Sequence, residues 1–130
     1  MHKGSCLCKT VTFEIDSEIH RFHHCHCQTC RKAHATVYGS SALVKASEFR
    51  ILSGEDEISR YKSSPDKTRY FCSNCGTHVF ATCLRDPGDV ILRIGTIDGD
   101  IGIKARGHIW VSHKPDWYDI ADDLPQHDEW

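Results

Sequence analysis

The sequence contains no long hydrophobic run. No apolar stretch approaches the roughly 20 residues that span a bilayer, and none follows the positive charge at residues 1–6, as it would in a secretory signal peptide. The 130 residues also contain no internal repeat and no linker rich in proline, glycine or serine. These absences exclude a membrane-spanning helix and predict a single domain over residues 1–130, located in the cytoplasm.

The sequence also has no large excess of positive or of negative charge. The formal net charge is −2, from 16 Lys and Arg and 18 Asp and Glu. Six of the acidic residues lie in the segment 116–130, which has no Lys or Arg and which we interpret as a solvated surface segment. The rest of the chain is only mildly basic, whereas nucleic-acid-binding proteins concentrate Lys and Arg on one face. We therefore expect neither nucleic acid nor a membrane as a partner.

Helical patterns are few. Most segments are short, rich in β-branched and aromatic residues, and bounded by turn signals such as Asp86-Pro87-Gly88-Asp89. The predicted strands are 9–15, 36–44, 49–52, 58–62, 68–72, 77–83, 90–97 and 107–111, with helical turns at 28–33 and near 45–49. The pattern predicts a mainly β fold of many short strands, in which metal sites replace part of the hydrophobic core.

Cysteine, by contrast, is abundant, with eight residues in 130. Seven of them form three close clusters, Cys6-x-Cys8, Cys25-x-Cys27-x-x-Cys30 and Cys72-x-x-Cys75, whereas Cys83 stands alone and is interpreted as a small buried residue. Structural disulfides are rare in a reducing cytosol, where closely spaced cysteines are more often metal ligands or catalytic thiols. The clusters therefore predict metal binding.

Two of the clusters predict one closed zinc site. The segment Cys72-Ser73-Asn74-Cys75-Gly76 is typical of a zinc knuckle, in which two thiolates meet one ion across a tight turn and the glycine accepts a positive φ. Cys6 and Cys8 would supply the other two ligands of a tetrahedron. A redox-active CxxC pair is the alternative, but the βαβ pattern expected around a thioredoxin-like motif is missing.

The third cluster supplies three thiols, Cys25, Cys27 and Cys30, within six residues. A zinc ion with three protein ligands keeps a fourth position for water or substrate, as in catalytic sites. A substrate thiol bound there would be held as a thiolate at neutral pH, because coordination to zinc lowers its pKa. The cluster therefore predicts a second zinc ion in a catalytic site.

A closed second site is the alternative, and the spacing alone does not choose between the two. In that case His23, His24 or His26 would be the fourth ligand and the zinc would be structural. Histidines near the cluster could instead donate a ring N–H to a thiolate. Arg31 and Lys32 directly follow the cluster, where they would offset its negative charge and could hold a substrate carboxylate.

The three clusters and their neighbours carry a resemblance to a known family. They read Gly4-Ser5-Cys6-Leu7-Cys8, Cys25-His26-Cys27-Gln28-Thr29-Cys30-Arg31-Lys32 and Phe71-Cys72-Ser73-Asn74-Cys75-Gly76. Towards the C-terminus come His108-Ile109-Trp110-Val111, Trp117-Tyr118 and Asp123-Leu124-Pro125. In this order and spacing the chain resembles the glutathione-dependent formaldehyde-activating enzyme family, which includes the centromere protein V-like domains.

The resemblance implies a fold, two zinc ions and an activity. The fold is the Mss4-like (β-tent) arrangement of several short, mostly antiparallel sheets around zinc sites. One zinc ion would be structural, on Cys6, Cys8, Cys72 and Cys75, and the other catalytic, on Cys25, Cys27 and Cys30. The implied activity is that of a carbon–sulfur lyase, which adds a small thiol such as glutathione to an aldehyde such as formaldehyde and gives S-(hydroxymethyl)glutathione.

A non-catalytic zinc-binding module that binds a partner is the second hypothesis. It shares every structural cysteine with the enzyme and differs only at the fourth ligand of the second zinc. A side chain of this protein in that position, or an empty second site, would favour the binding module.

Overall fold

The computed structural model describes residues 1–130, which form ten β-strands in two sheets, one α-helix and four 3-10 helices. The strands are β1 (His2–Ser5), β2 (Thr12–Ile15), β3 (His20–Cys25), β4 (Gly39–Lys45), β5 (Phe49–Ser53), β6 (Ile58–Lys62), β7 (Lys67–Cys72), β8 (His78–Cys83), β9 (Asp89–Arg93) and β10 (His108–Ile109). The α-helix is α1 (Gln28–His34), and the 3-10 helices are Ala46–Glu48, Glu55–Glu57, Ile94–Thr96 and Val111–His113. The predicted mainly β fold of short strands is confirmed. None of the helices is long and apolar enough to cross a membrane.

The chain divides into two compact units. The first unit contains Met1–His20 and Ala42–Gly102, and the second contains Arg21–Ser41 and Ile103–Trp130. The cysteines of the four-thiol prediction all lie in the first unit, and those of the three-thiol prediction all lie in the second.

In the first unit, three strands form a small antiparallel sheet in the order β1-β2-β5. The strands β4, β9, β8, β7 and β6 are neighbours in that order, and β7 pairs antiparallel with both β6 and β8. Alternation along β2 and the residue before it buries one face completely, because successive side chains of a strand point to opposite sides. The residues on this buried face are Val11, Phe13 and Ile15.

A row of aromatic rings joins the two sheets within the first unit. The ring of Phe13 in β2 lies 5.5 Å from that of Phe49 in β5, which in turn lies 5.0 Å from Phe80 in β8. Phe80 stacks on Tyr70 of β7 with the ring centroids 4.5 Å apart. Aromatic pairs at such distances contribute beyond the apolar area that they bury, so this row fastens the small sheet to the larger one.

In the second unit, β3 and the short strand β10 pair in parallel, with His108 opposite His24. The backbone of residues 125–127 forms hydrogen bonds with β10. The backbone N–H of His108 donates to the carbonyl of Pro125 at 2.8 Å, and that of His127 donates to the carbonyl of His108 at 2.9 Å. Most side chains from 116 to 130 are exposed, as predicted for the acidic segment, but the backbone of this segment is held by these hydrogen bonds.

Several predicted boundaries were wrong for local reasons. The strand predicted at 9–15 begins only at Thr12, because Lys9 has a φ of 64° and closes a turn with its N–H on the carbonyl of Cys6. The strand predicted at 90–97 ends at Arg93, where the Thr96 hydroxyl donates to the Arg93 carbonyl and the chain turns into a 3-10 helix. The strand predicted at 107–111 stops before Trp110, whose φ is 57°. The helical turns predicted at 28–33 and near 45–49 are confirmed as α1 and the 3-10 helix Ala46–Glu48.

Gly4 provides a test of the packing around β1. It pairs with Phe13, and a Cβ added at Gly4 would overlap the Phe13 ring and the carbonyl oxygen of Thr96. We expect Gly4→Ala to lower the free energy of unfolding by about 1–3 kcal/mol, the usual cost of overpacking, as measured by denaturant titration. Gly88→Ala is the matched control, because nothing lies within 4 Å of a Cβ there. Equal stability of the two variants would contradict this description of the sheet.

Candidate metal centres

The four cysteines predicted to form one site are brought together in the first unit. The sulfur atoms of Cys6, Cys8, Cys72 and Cys75 all lie within 4.8 Å of one another. The Sγ atoms of Cys6 and Cys8 are 3.5 Å apart, and those of Cys8 and Cys72 are 3.8 Å apart. In a tetrahedron with zinc–sulfur bonds of about 2.3 Å, the sulfurs lie about 3.8 Å apart. The donor set therefore fits a tetrahedral zinc ion, and none of the cysteines forms a disulfide.

The loop that follows β1 places the first two sulfurs. The N–H of Cys6 donates to the carbonyl of Val11 at 3.0 Å, and the N–H of Val11 approaches the sulfur of Cys6 at 3.3 Å. These bonds close the chain on itself around Lys9, which is in the left-handed region. As a result Cys6 is buried and Cys8 is exposed, but both sulfur atoms lie close to those of Cys72 and Cys75.

The turn between β7 and β8 places the other two sulfurs. Gly76 has a φ of 80° and donates its N–H to the carbonyl of Cys72 at 2.8 Å, so the tight turn with a positive φ is as predicted. The two turns also contact each other directly, since the N–H of Leu7 donates to Thr77 Oγ1 at 3.0 Å.

Polar groups around the sulfurs favour the thiolate form at the outer side of the group. The Thr10 hydroxyl lies 3.2 Å from Cys8 Sγ and the Asn74 amide donates to it at 3.3 Å, and these hydrogen bonds lower the pKa of Cys8 to about 7. The hydrogen bond with Thr77 is the main cause that lowers the pKa of Cys75 to about 5. Burial raises the pKa of Cys72 to about 11. Since the thiolate is the metal ligand, the exposed half of the group is prepared to bind a cation.

The three cysteines of the second unit also form one group. The sulfur atoms of Cys25, Cys27 and Cys30 lie within 4.8 Å of one another. Cys25 ends β3, Cys27 is the N-cap of α1, and Cys30 lies buried in the first turns of that helix. The Cys27 sulfur accepts a hydrogen bond from the backbone N–H of Cys30 at 3.2 Å, so Cys27 caps the helix that contains Cys30.

Within this group, Cys25 resists ionisation. The hydrogen bonds that Cys25 makes with Cys27 and Cys30 raise its pKa, and burial raises it further. Three thiolates so close would repel one another, and a metal ion removes that repulsion because it binds the deprotonated sulfur. The basic residues at the end of α1 are those predicted to offset the negative charge, with Arg31 partly buried and Lys32 exposed.

The three-sulfur group includes no imidazole nitrogen. One ring nitrogen of each histidine considered as a fourth ligand has another partner: His23 Nδ1 lies 3.0 Å from the Arg21 carbonyl, His24 Nδ1 lies 2.9 Å from Ser40 Oγ, and His26 Nε2 lies 2.8 Å from His108 Nδ1. The remaining cysteine, Cys83, is partly exposed at the end of β8 and belongs to neither group, so the prediction that it is buried was wrong.

Two polar residues that no sequence motif indicated, His108 and Asp122, are connected to this group through His26. His108 is buried and contacts His26 through a hydrogen bond, and its other ring nitrogen lies 3.0 Å from a carboxylate oxygen of Asp122. That hydrogen bond lowers the pKa of Asp122. In the sequence, His108 was noted only as part of the segment that resembles the family's C-terminus. Asp122 was noted only as one of the acidic residues of the segment 116–130. No spacing rule connects them to residues 25–30, because the contact depends on the parallel pairing of β3 with β10.

The two groups are expected to differ in what they do for stability. Cys8 and Cys72 are 64 residues apart, so a metal ion there closes a long loop, and structural zinc contributes roughly 10 kcal/mol or more to folding. We expect Cys72→Ser or Cys75→Ser to give insoluble or molten protein. The cysteines of the other group are local and close almost no loop, so Cys27→Ser should lose one zinc equivalent and keep most of its thermal stability.

Thermal unfolding with zinc analysis of each variant checks this contrast. Cys83→Ser serves as the control because that thiol belongs to neither group. A Cys72→Ser protein with an unchanged melting temperature, or a Cys27→Ser protein that unfolds as severely, would contradict it.

The sequence is similar to proteins of one family. The sequence model of the family described as glutathione-dependent formaldehyde-activating enzyme matches residues 1–113. An uncharacterized lyase of Schizosaccharomyces pombe is 28% identical over 122 residues, which cover 92% of this chain and 85% of that protein. A protein of Podospora anserina, named as a candidate glutathione-dependent formaldehyde-activating enzyme, is 27% identical over 77 residues, which cover 58% of this chain and 36% of that protein.

A solved structure supports the fold. The crystal structure of a Rhodobacter sphaeroides protein superposes with a TM-score of 0.62 at 21% identity, and the match covers 77% of this chain and 91% of that one. The Mss4-like (β-tent) fold implied by the resemblance is therefore confirmed.

Proposed function

Because the chain belongs to the glutathione-dependent formaldehyde-activating enzyme family, we propose that it is a zinc-dependent carbon–sulfur lyase. The family and the names of the relatives support a lyase-type enzyme. The further proposal is that a small thiol such as glutathione adds to an aldehyde such as formaldehyde at Cys25, Cys27 and Cys30. The abundance of thiols suits a reducing compartment, and we propose the cytoplasm.

The observation that carries the proposal is the number of sulfurs in each group. The first unit has a complete set of four, which suits a structural zinc, whereas the second unit has three and no imidazole nitrogen with them. Three protein ligands are the donor set of a catalytic zinc site. The non-catalytic module would require a side chain of this protein as the fourth ligand, and no imidazole nitrogen lies with the three sulfurs.

In the proposed reaction the thiol sulfur forms a bond to the carbonyl carbon, the carbon–oxygen π bond breaks, and the thiol proton ends on the oxygen. No other reactant is needed. Zinc bound to the three cysteines would lower the pKa of a thiol in the fourth position, so that the sulfur reacts as a thiolate.

The chain's own residues would bind and orient the substrates. The end of β3 and the start of α1 hold the three sulfurs, and the buried position of Cys30 fixes the inner side of the group. Arg31 and Lys32 carry the positive charge nearest in sequence to these sulfurs. We propose that they bind a carboxylate of the thiol substrate, since glutathione carries two. Holding the thiol and the aldehyde close together and correctly oriented is a large part of what an enzyme can contribute to such an addition.

Catalysis is tested directly with the metal-replete protein. We expect it to accelerate the exchange between glutathione, formaldehyde and their hemithioacetal, followed by NMR, relative to buffer. Cys27→Ser should remove the acceleration because it removes one ligand of the second zinc, whereas Cys83→Ser should keep it. No acceleration with glutathione or with several other thiols and aldehydes would refute the catalytic proposal.

The coordination of the second metal is tested with Co²⁺ in place of zinc. If the fourth position is open to substrate, glutathione or another small thiol should shift the visible absorption bands, because a new sulfur joins the ligands of that ion. The Cys27→Ser protein should show no thiol-dependent change. Bands in the native protein that stay unmoved at saturating thiol would indicate a closed site and favour the partner-binding module.

A further inference from the structure

A chain of three hydrogen-bonded side chains runs through the second unit. The Nε2 atom of His26 lies 2.8 Å from Nδ1 of His108, and Nε2 of His108 lies 3.0 and 3.1 Å from the two carboxylate oxygens of Asp122. The two histidines are 0% and 1% exposed, whereas the side chain of Asp122 is 46% exposed. The chain therefore leads from a surface carboxylate to a fully buried ring.

The carboxylate at one end determines where the ring protons lie. An ionised carboxylate only accepts hydrogen bonds, so Nε2 of His108 must be the donor. In a neutral His108 the other nitrogen is then an acceptor, and Nε2 of His26 must donate to it. Nδ1 of His26 has no acceptor within reach, so a proton on that atom would be buried and unpaired, which costs free energy. Nδ1 of His26 is thus left without a proton, and this atom is buried and has no hydrogen-bond partner.

His26 stands between two of the three cysteines, on a continuation of β3. Its backbone N–H donates to the carbonyl of Ile109 at 2.9 Å and so extends the ladder that pairs β3 with β10. In an extended segment, alternate side chains point to opposite faces. Cys25 and Cys27 therefore share one face and His26 occupies the other, which is the face towards His108.

We propose that Asp122 and His108 are positioning residues for the three-cysteine metal site. Acting through His26, they fix the face on which that ring lies, and with it the face on which the sulfurs of Cys25 and Cys27 converge. The inference rests on the proposed function in one respect, namely that the three cysteines bind zinc. Its consequence concerns zinc affinity: a site whose sulfurs are already gathered binds the ion more tightly than one that must gather them first.

The aromatic surroundings support a fixed ring rather than a mobile one. The ring of His26 lies 5.0 Å from that of Tyr38 and 6.4 Å from that of Tyr118, so it is packed as well as hydrogen-bonded. Asp122 is held in turn, because one of its carboxylate oxygens accepts the backbone N–H of Leu124 at 3.0 Å.

The experiment measures zinc affinity at the two sites separately, by competition with a chromophoric chelator. We expect Asp122→Ala to weaken zinc binding at the three-cysteine site about 10-fold to 100-fold, the usual effect of removing a group that orients the ligands, with no change at the four-cysteine site. Asp122→Asn should restore most of the affinity, since its amide oxygen can still accept from His108. Asp123→Ala is the matched control, being the next residue, acidic and exposed.

Histidine ring NMR of the native protein gives an independent readout. Long-range ¹H–¹⁵N spectra should show both His26 and His108 protonated at Nε2 only, and the Asp122→Ala protein should lose this pattern. A proton on Nδ1 of His26 would overturn the inference. If Asp122→Ala does not fold, Asp122→Asn and the native spectra decide the matter.

The outcomes separate the two proposals. A native protein that binds one zinc ion refutes the proposed function at the three-cysteine site. A native protein that binds two, together with an Asp122→Ala protein that keeps both at native affinity, refutes only the positioning of the site. Equal weakening at both sites would indicate a general loss of structure and would also count against the inference.

Discussion

The convergence of four sulfur atoms from residues 6–8 and 72–75 is the constraint on which the first unit depends. The two turns that carry these sulfurs must lie side by side, and two further hydrogen bonds connect them. The Leu7 backbone N–H donates to Thr77, and the Asn74 amide donates to the Cys8 sulfur. The strand that precedes the first turn, β1, pairs with β2, and β2 contributes Phe13 to the aromatic row that reaches β8. A metal ion on the sulfur group would therefore connect the same part of the unit that the aromatic row connects by apolar packing.

The two sulfur groups show how one ligand type can serve two purposes through sequence separation. A metal bound by a group assembled across 64 residues would reduce the freedom of the whole intervening chain and so would be part of the fold. A metal bound by a group assembled within six residues would bind or leave without unfolding the strands around it. It depends on support from outside the cluster, and in this protein that support comes from β10 and from the acidic segment that follows it.

The sequence alone predicted the parts of the structure that depend on local chemistry. The pairing of CxC with CxxC, the left-handed Gly76 and the short helix α1 all follow from residue types at fixed spacing. The strands β1 and β3 could not be predicted, since their residues have little strand preference of their own and become extended by pairing with β2 and β10. For the same reason His108 and Asp122 were not recognised as neighbours of the cysteines, because their role depends on tertiary pairing that no short motif encodes.

The hydrogen bonds of His108 have a consequence for how this domain can be cut or transplanted. Its side chain hydrogen-bonds to residue 122, its N–H donates to the carbonyl of residue 125, and its carbonyl accepts the N–H of residue 127. The region shared with the family's sequence model, however, ends at residue 113. A minimal version designed on the shared region would therefore expose polar groups that the full chain satisfies. Such a version would keep all seven clustered cysteines and the His108 ring, and it would lose the residues that hydrogen-bond to that ring and to its backbone.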